Sequence, residues 1–293
     1  MNKSRHAFLV MAHKNPEQLK RLLSLLDHPR VDLFVHLDKK SHVFDSEALS
    51  SVVQHSRIFF VPRMAVVWGS VSQIQCEFRL IEASLSEKYG YYHLLSGLDL
   101  PLKKTEEILS FFDACGEKEF VSFESKEISE SAYQRASLYW PFQGIRIFRP
   151  VFLRLQTLFI ALQKKIGIDR LKDLGITLYK GANWFSCTHG YLSQLVQDKK
   201  KLLKLFSQSF CCDELFLQTH LMTTDYKDRL YDLSFSDSDR SIQRLIDWKR
   251  GNPYTFRLAD EELLFQSGLL FARKFDEKTD GAIIETVCKK LKS

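Results

Sequence analysis

The chain has 293 residues, with 42 Lys and Arg against 36 Asp and Glu, a formal net charge of +6 at pH 7, and 45% hydrophobic residues. This is the composition of a soluble globular protein, long enough for one large α/β domain or two small ones. The mild, scattered positive excess suits anionic small ligands or an anionic membrane surface and points away from nucleic acid. The 23 Phe residues predict an aromatic-rich core.

Residues 6–12 (HAFLVMA) form a short apolar run with polar flanks, the pattern of a buried strand. That run is too short for a secretory core or a membrane span, so the expectation is a cytoplasmic protein without a cleaved signal and with reduced thiols. Asn15-Pro16-Glu17 then opens a helix, with Leu19, Leu22, Leu23 and Leu26 as its apolar stripe. Strands are expected at 31–37, 57–61 and 91–96, and a long helix at 70–88. This βαβ rhythm predicts a largely parallel sheet flanked by helices, with its ligand crevice at the carboxyl ends of the strands.

Residues 143–180 interleave Arg and Lys with Phe, Leu and Ile, as a basic amphipathic helix and a loop would. Two readings stand for it: a packed surface helix, or a segment facing a membrane or an acceptor. A strand or turn follows at 182–187, helices at 189–207 and 213–223, and a helical tail from 260 ending in a basic segment.

Polar residues gather after successive strands: His13-Lys14, His36-Leu37-Asp38-Lys39-Lys40 and Ser96-Gly97-Leu98-Asp99. Trp68-Gly69-Ser70 precedes the long helix, and Asp213-Glu214 opens a later one. Any one of these suits a solvated loop; their recurrence at strand ends suits a site. Cys187, His189, Cys211, Cys212 and His220 offer only a weak zinc candidate, since no Cys-x-x-Cys spacing is present. Asp237-Ser238-Asp239 matches a metal-binding Asp-x-Asp string but lies late in the chain, where a turn or helix cap is the simpler role. Residues 11–20 contain no glycine, so neither dinucleotide nor P-loop phosphate signatures are there.

The segments FLVMAHKNPEQLKRLL, FVHLDKKS, VVWGSVSQIQCEFRLI, YYHLLSGLDLPLK, KGANWFSCTHGYL, DELFLQTHL, RLIDWKRGNPYTF and LLFARKFDE, in that order, resemble the core-2/I-branching β-1,6-N-acetylglucosaminyltransferase family, which includes peptide O-xylosyltransferases (glycosyltransferase family 14). The resemblance implies a GT-A-type fold in one domain over 1–293, with a nucleotide-binding half at 1–115 and an acceptor-binding, catalytic half at 116–293. It implies inverting transfer from a UDP-sugar, N-acetylglucosamine or xylose, to a hydroxyl of a glycan or lipid-linked glycan. A bacterial member acting in surface polysaccharide synthesis at the inner membrane face is the expected setting.

The resemblance also assigns roles. Glu214 takes the place of the catalytic base, with Cys212 where the family has proline. Arg257 and Lys274 take the place of the basic pair that neutralises the departing diphosphate without a metal, with Arg273 in reserve. His13, Asp38, Trp68, Ser96 and Asp99 fall on the donor side, and Trp248 and Arg135 on the acceptor side. For Trp68 and Trp248 these ligand-facing roles compete with plain core packing. Asp213 is expected at the helix start. No cofactor is expected. A catalytically silent binding scaffold of the same fold and a sugar-nucleotide synthesising enzyme are the alternatives.

Overall fold

The computed structural model describes residues 4–143 and 149–292. In chain order its elements are β1 (His6–Ala12), α1 (Pro16–Leu26), β2 (Val31–Leu37), α2 (Ser46–Ser50), β3 (Arg57–Phe60), α3 (Ser72–Ser84), β4 (Tyr91–Ser96), β5 (Asp99–Pro101), α4 (Thr105–Cys115) and β6 (Phe120–Val121). Then come α5 (Glu130–Ser137), α6 (Arg149–Lys165), β7 (Phe185–Thr188), α7 (His189–Gln197), α8 (Lys199–Phe206), α9 (Phe216–Leu221), α10 (Asp239–Ile242), β8 (Arg244–Ile246), α11 (Glu261–Gln266), β9 (Phe271–Arg273) and α12 (Gly281–Lys292).

The central sheet runs β3-β2-β1-β4-β7-β6. Its first four strands are parallel; β7 joins β4 antiparallel and β6 joins β7 antiparallel, so β7 alone runs against the rest. The mostly parallel sheet flanked by helices is therefore what the βαβ rhythm predicted. Alternation along β1 explains the layering. Ala7 and Leu9 enter one core with Ile74, Phe78 and Ile81 of α3 and Tyr191 and Leu195 of α7. Phe8, Val10 and Ala12 enter the other with Leu19, Leu22 and Leu23 of α1 and Ile283 and Ile284 of α12. Both faces are covered, so β1 and β2 need apolar residues at nearly every position.

Several expected boundaries change. The helix expected at 189–207 is two helices meeting at Asp198, which ends α7 at φ −86°, ψ 2° and opens α8. The helix expected at 213–223 is a 3₁₀ turn over Cys212–Glu214 followed by α9. The tail from 260 is not simply helical: β9 lies inside it, in a second sheet ordered β5-β9-β8. Its three-residue strands are too short to show a period. Arg244 of β8 ties the two sheets together. Its Nη2 donates to the carbonyls of Phe185 (2.7 Å) and Leu94 (3.2 Å), and its guanidinium lies 5.2 Å from the Phe271 ring centre. Burial pushes this guanidinium down to about 10.

Candidate active site

The carboxyl ends of β1, β2 and β4 meet at one edge of the sheet. The Asp38 amide donates to the Ala12 carbonyl (2.8 Å), and the Gly97 amide to that of Met11 (2.9 Å). A Cβ on Gly97 would stand 3.2 Å from that of Ala12, so glycine keeps these strand ends close. The last segment of the chain closes over them: the Phe275 amide bonds to the Leu98 carbonyl (2.9 Å). Asp276 accepts from Lys14 Nζ (2.6 Å) and Asn15 Nδ2 (3.0 Å). Lys274 and Arg273 are thereby brought from the far end of the chain to the loop after β1.

Positive charge concentrates at this edge. The exposed imidazole of His13 is pushed down by partial desolvation, then by Lys14 and Arg273, with Asp38 opposing and Lys40 adding. Lys274 is pushed down by burial, then by Arg273 and Lys14, against Asp276. Such convergence of cations at a strand-end edge suits a diphosphate. Arg257 is not among the charges acting on Lys274; it is exposed, and its charge acts on Asp280. The neighbouring residue does reach the lysine, since the Phe256 amide donates to the Lys274 carbonyl at 2.9 Å.

Asp38 and Asp99 are buried and committed to local structure. Asp38 accepts from the Lys40 amide (2.8 Å) and faces Lys40 Nζ at 3.5 Å. Asp99 accepts from the Ser96 amide (2.8 Å), the Ser96 hydroxyl (3.1 Å) and Arg273 Nη1 (2.7 Å). The guanidinium of Arg273 also lies 4.4 Å from the ring centre of buried Trp184. Arg273, held only in reserve by sequence, is thus the cation that Ser96 and Asp99 grip.

The second part of the site is the 3₁₀ turn. Cys211 enters it in the left-handed region at φ 46°. Its amide bonds to the Gly69 carbonyl (2.8 Å), and the Gly181 amide bonds to the Glu214 carbonyl (3.1 Å). Gly69 sits at φ +80°, and a Cβ there would lie 2.7 Å from the Phe210 ring. The loop after β3 therefore spans both parts: Val66 bonds to Asp38 (3.4 Å) at one end, and Gly69 holds the Glu214 turn at the other.

Glu214 Oε2 accepts from Arg135 Nη1 of α5 at 2.6 Å. Asp213, its neighbour, is buried and does not cap a helix, a correction to the role expected for it. It accepts from Gln73 Nε2 of α3 at 2.5 Å, and burial, followed by the charge of Glu214, pushes it up to about 7. One turn further along α3, Glu77 is completely buried with both carboxylate oxygens unpartnered among the described residues. Burial and then the charge of Asp213 push it well up. Gln73 and Glu77 escaped sequence reasoning; the available signal was two polar residues at i, i+4 on the inward face of an amphipathic helix.

Trp68 (74% exposed) stacks edge-on against Phe210, at 5.6 Å between ring centres, and Trp248 is 53% exposed. Core packing is excluded for both, leaving exposed rings able to meet a ligand. Ser238 caps α10 by accepting from the Arg240 amide (3.2 Å), so the Asp237-Ser238-Asp239 string is a turn and cap as expected. The two histidines of the weak zinc candidate are engaged elsewhere: His189 pairs with Tyr92 (2.6 Å) and His220 with Asp198 (3.2 Å).

A family model described as Core-2/I-Branching enzyme matches residues 6–263. Among curated proteins, the chain is 23% identical over 301 residues to xylosyltransferase 2 of Canis lupus familiaris, covering 96% of this chain and 33% of that protein. It is 24% identical over 292 residues to a xylosyltransferase of Ciona intestinalis, covering 94% of this chain and 32% of that one. The chain thus spans about a third of the length of the curated relatives it matches. Among solved structures, mouse xyloside xylosyltransferase 1 in its apo form aligns over 92% of this chain and 96% of its own, with TM-score 0.38 and 14% identity.

Proposed function

We propose, for a chain that belongs to the Core-2/I-branching enzyme family of glycosyltransferases, that the reaction is inverting transfer of N-acetylglucosamine from UDP to a hydroxyl of a glycan or lipid-linked glycan. The setting proposed is bacterial surface polysaccharide synthesis at the cytoplasmic membrane face. One observation carries the reading: Lys14, Arg273 and Lys274 converge beside His13 at the carboxyl edge of the sheet, where a leaving diphosphate would need charge.

In this reaction the acceptor oxygen bonds to the anomeric carbon as the bond from that carbon to the diphosphate breaks. Glu214 takes the acceptor's proton through Oε1, since Oε2 is already held by Arg135. The basic edge receives the departing UDP and does the work that a metal ion does in other such enzymes. Asp38, His13 and Trp68 border the nucleotide, and Trp248 offers its exposed ring to an apolar sugar face.

Xylose is the second reading for the donor, favoured by the names of the relatives. Hydrolysis and thermal-shift assays across UDP-N-acetylglucosamine, UDP-xylose and other UDP-sugars, each with excess EDTA, test the proposal. A bound donor raises the melting temperature, by an amount that grows with the logarithm of its concentration above Kd. Stabilisation and turnover with UDP-N-acetylglucosamine are expected; turnover with UDP-xylose alone assigns the second donor, and no response to any UDP-sugar overturns the reaction.

A further inference from the structure

Helix α6 turns an apolar stripe to the outside. Val151, Leu155, Leu158 and Leu162, with Ile166 one residue past the helix end, are all exposed, Leu158 at 67%. At 100° per residue these five positions fall within about 80° of one another around the helix. The opposite attachment is equally clear. Gln163 is buried, accepts from the Tyr139 amide (2.8 Å) and donates to the Tyr139 carbonyl (3.0 Å). Gln156 accepts from the Phe142 amide (3.2 Å), and Phe152 packs on Phe142 at 5.8 Å. The helix is held by its 152, 156 and 163 side and leaves the neighbouring leucine-rich side uncovered among the described residues. The helix packs as a surface helix, and the side that packs is not the side that carries the stripe.

Charge identifies what covers the stripe. No Asp or Glu occurs between Glu130 and Asp169, while Arg154, Lys164 and Lys165 lie along α6. Arg154 and Lys165 are exposed and flank one margin of the stripe. A second copy of the chain would set these cations against their own kind with no acid to pair with. An anionic lipid surface meets both features, taking up the leucines and attracting the cations. No helix among the described residues is long and apolar enough to cross a membrane, and α6 has 17 residues, so the fit is to lying on the surface. We infer that α6 is an interfacial helix that docks this protein on an anionic bilayer through Val151, Leu155, Leu158, Leu162 and Ile166. The docking stands independently of the reaction proposed above.

The segment is also coupled to the candidate site. Tyr139, which Gln163 clasps, follows α5, the helix that carries Arg135 to Glu214, and Trp140 stacks on Phe210 at 4.8 Å. Docking would therefore set the acceptor side of the site near the bilayer.

Flotation of the whole chain with phosphatidylcholine vesicles, with and without phosphatidylglycerol, tests the inference. Each cation near an anionic surface favours binding about fivefold, so the two that flank the stripe predict roughly a 25-fold preference for the anionic vesicles. High salt should remove that preference. Leu158→Ser with Leu162→Ser should abolish flotation while leaving the melting temperature unchanged, since both side chains are exposed. Arg154→Gln with Lys165→Gln should lower the anionic preference by roughly 25-fold. Equal, negligible binding to both vesicles would overturn the inference, as would binding that survives the leucine substitutions. A dimer seen by light scattering and broken by those same substitutions would also overturn it, assigning the stripe to a second copy.

Discussion

Arg135 Nη1 stands 2.6 Å from Glu214 Oε2, with the two side chains 28% and 29% exposed. The carboxylate proposed as base is thus fixed through one oxygen and remains reachable by solvent or substrate. A partly exposed pair of this kind contributes little to stability. Its consequence is orientation.

Glu214→Gln should fold normally and bind UDP-sugar as the parent does, while kcat falls about 10²–10⁴-fold. The amide keeps the shape and removes the proton acceptor. Near-parental kcat in a folded variant would remove Glu214 from the role of base.

Arg135→Met should lower kcat by about tenfold or more, because an unanchored carboxylate samples unproductive geometries. The informative measurement is a double-mutant cycle with Glu214→Gln. Orientation through Glu214 predicts that the second change adds little to the first. Additive losses, with a rise in acceptor KM, would instead return Arg135 to direct acceptor binding.

Asp213→Asn should change the pH dependence of stability more than catalysis. The native Asp213 holds its proton up to about 7, whereas an unfolded aspartate sheds it in the ordinary carboxylate range. The native state therefore binds more protons between those limits, and this acid makes stability fall as pH rises across that window. Asparagine can still accept from Gln73, so the variant should gain stability relative to the parent at pH 8 and little at pH 4. The gain should be on the order of 1 kcal/mol or more, given about 1.36 kcal/mol per pH unit of displacement. Parallel Tm-against-pH curves for the two proteins would contradict this. Glu77, pushed up in the same direction, makes a contribution of the same sign.

Lys274→Ala should reduce kcat more than it raises donor KM, by about 2.7–4 kcal/mol, as expected when a group stabilising developing anionic charge is removed. The same proposal predicts that parental activity survives EDTA. Activity lost on chelation and restored by manganese would assign the leaving-group charge to a metal.

Gly181→Ala should destabilise the protein by about 1–3 kcal/mol or more, read as a lower melting temperature. A Cβ at this position runs into the Ser122 carbonyl, and the Gly181 amide holds the Glu214 carbonyl at 3.1 Å. Activity should fall with the loss of that support. Unchanged stability would mean that the 122 and 181 segments can separate at no cost.

Sequence alone determined the parts of the molecule whose signal is local. The apolar runs of β1, β2 and β4 and the leucine stripe of α1 are written in periodicity, and the polar residues after those strands marked the sheet edge. The family segments carried Glu214 and Lys274 as candidates before any contact was known. Tertiary structure decided what those residues meet. Lys274 stands with Arg273 and Lys14, Arg135 holds Glu214, and Gln73 reaches Asp213 across 140 positions of chain. It also decided which side of α6 faces out, because the anchoring bonds run from Gln156 and Gln163 to the preceding loop. The physical reason is one of range. Backbone periodicity is set by neighbours a few residues apart, whereas charge pairing and burial depend on distances that exist only once the chain is closed on itself.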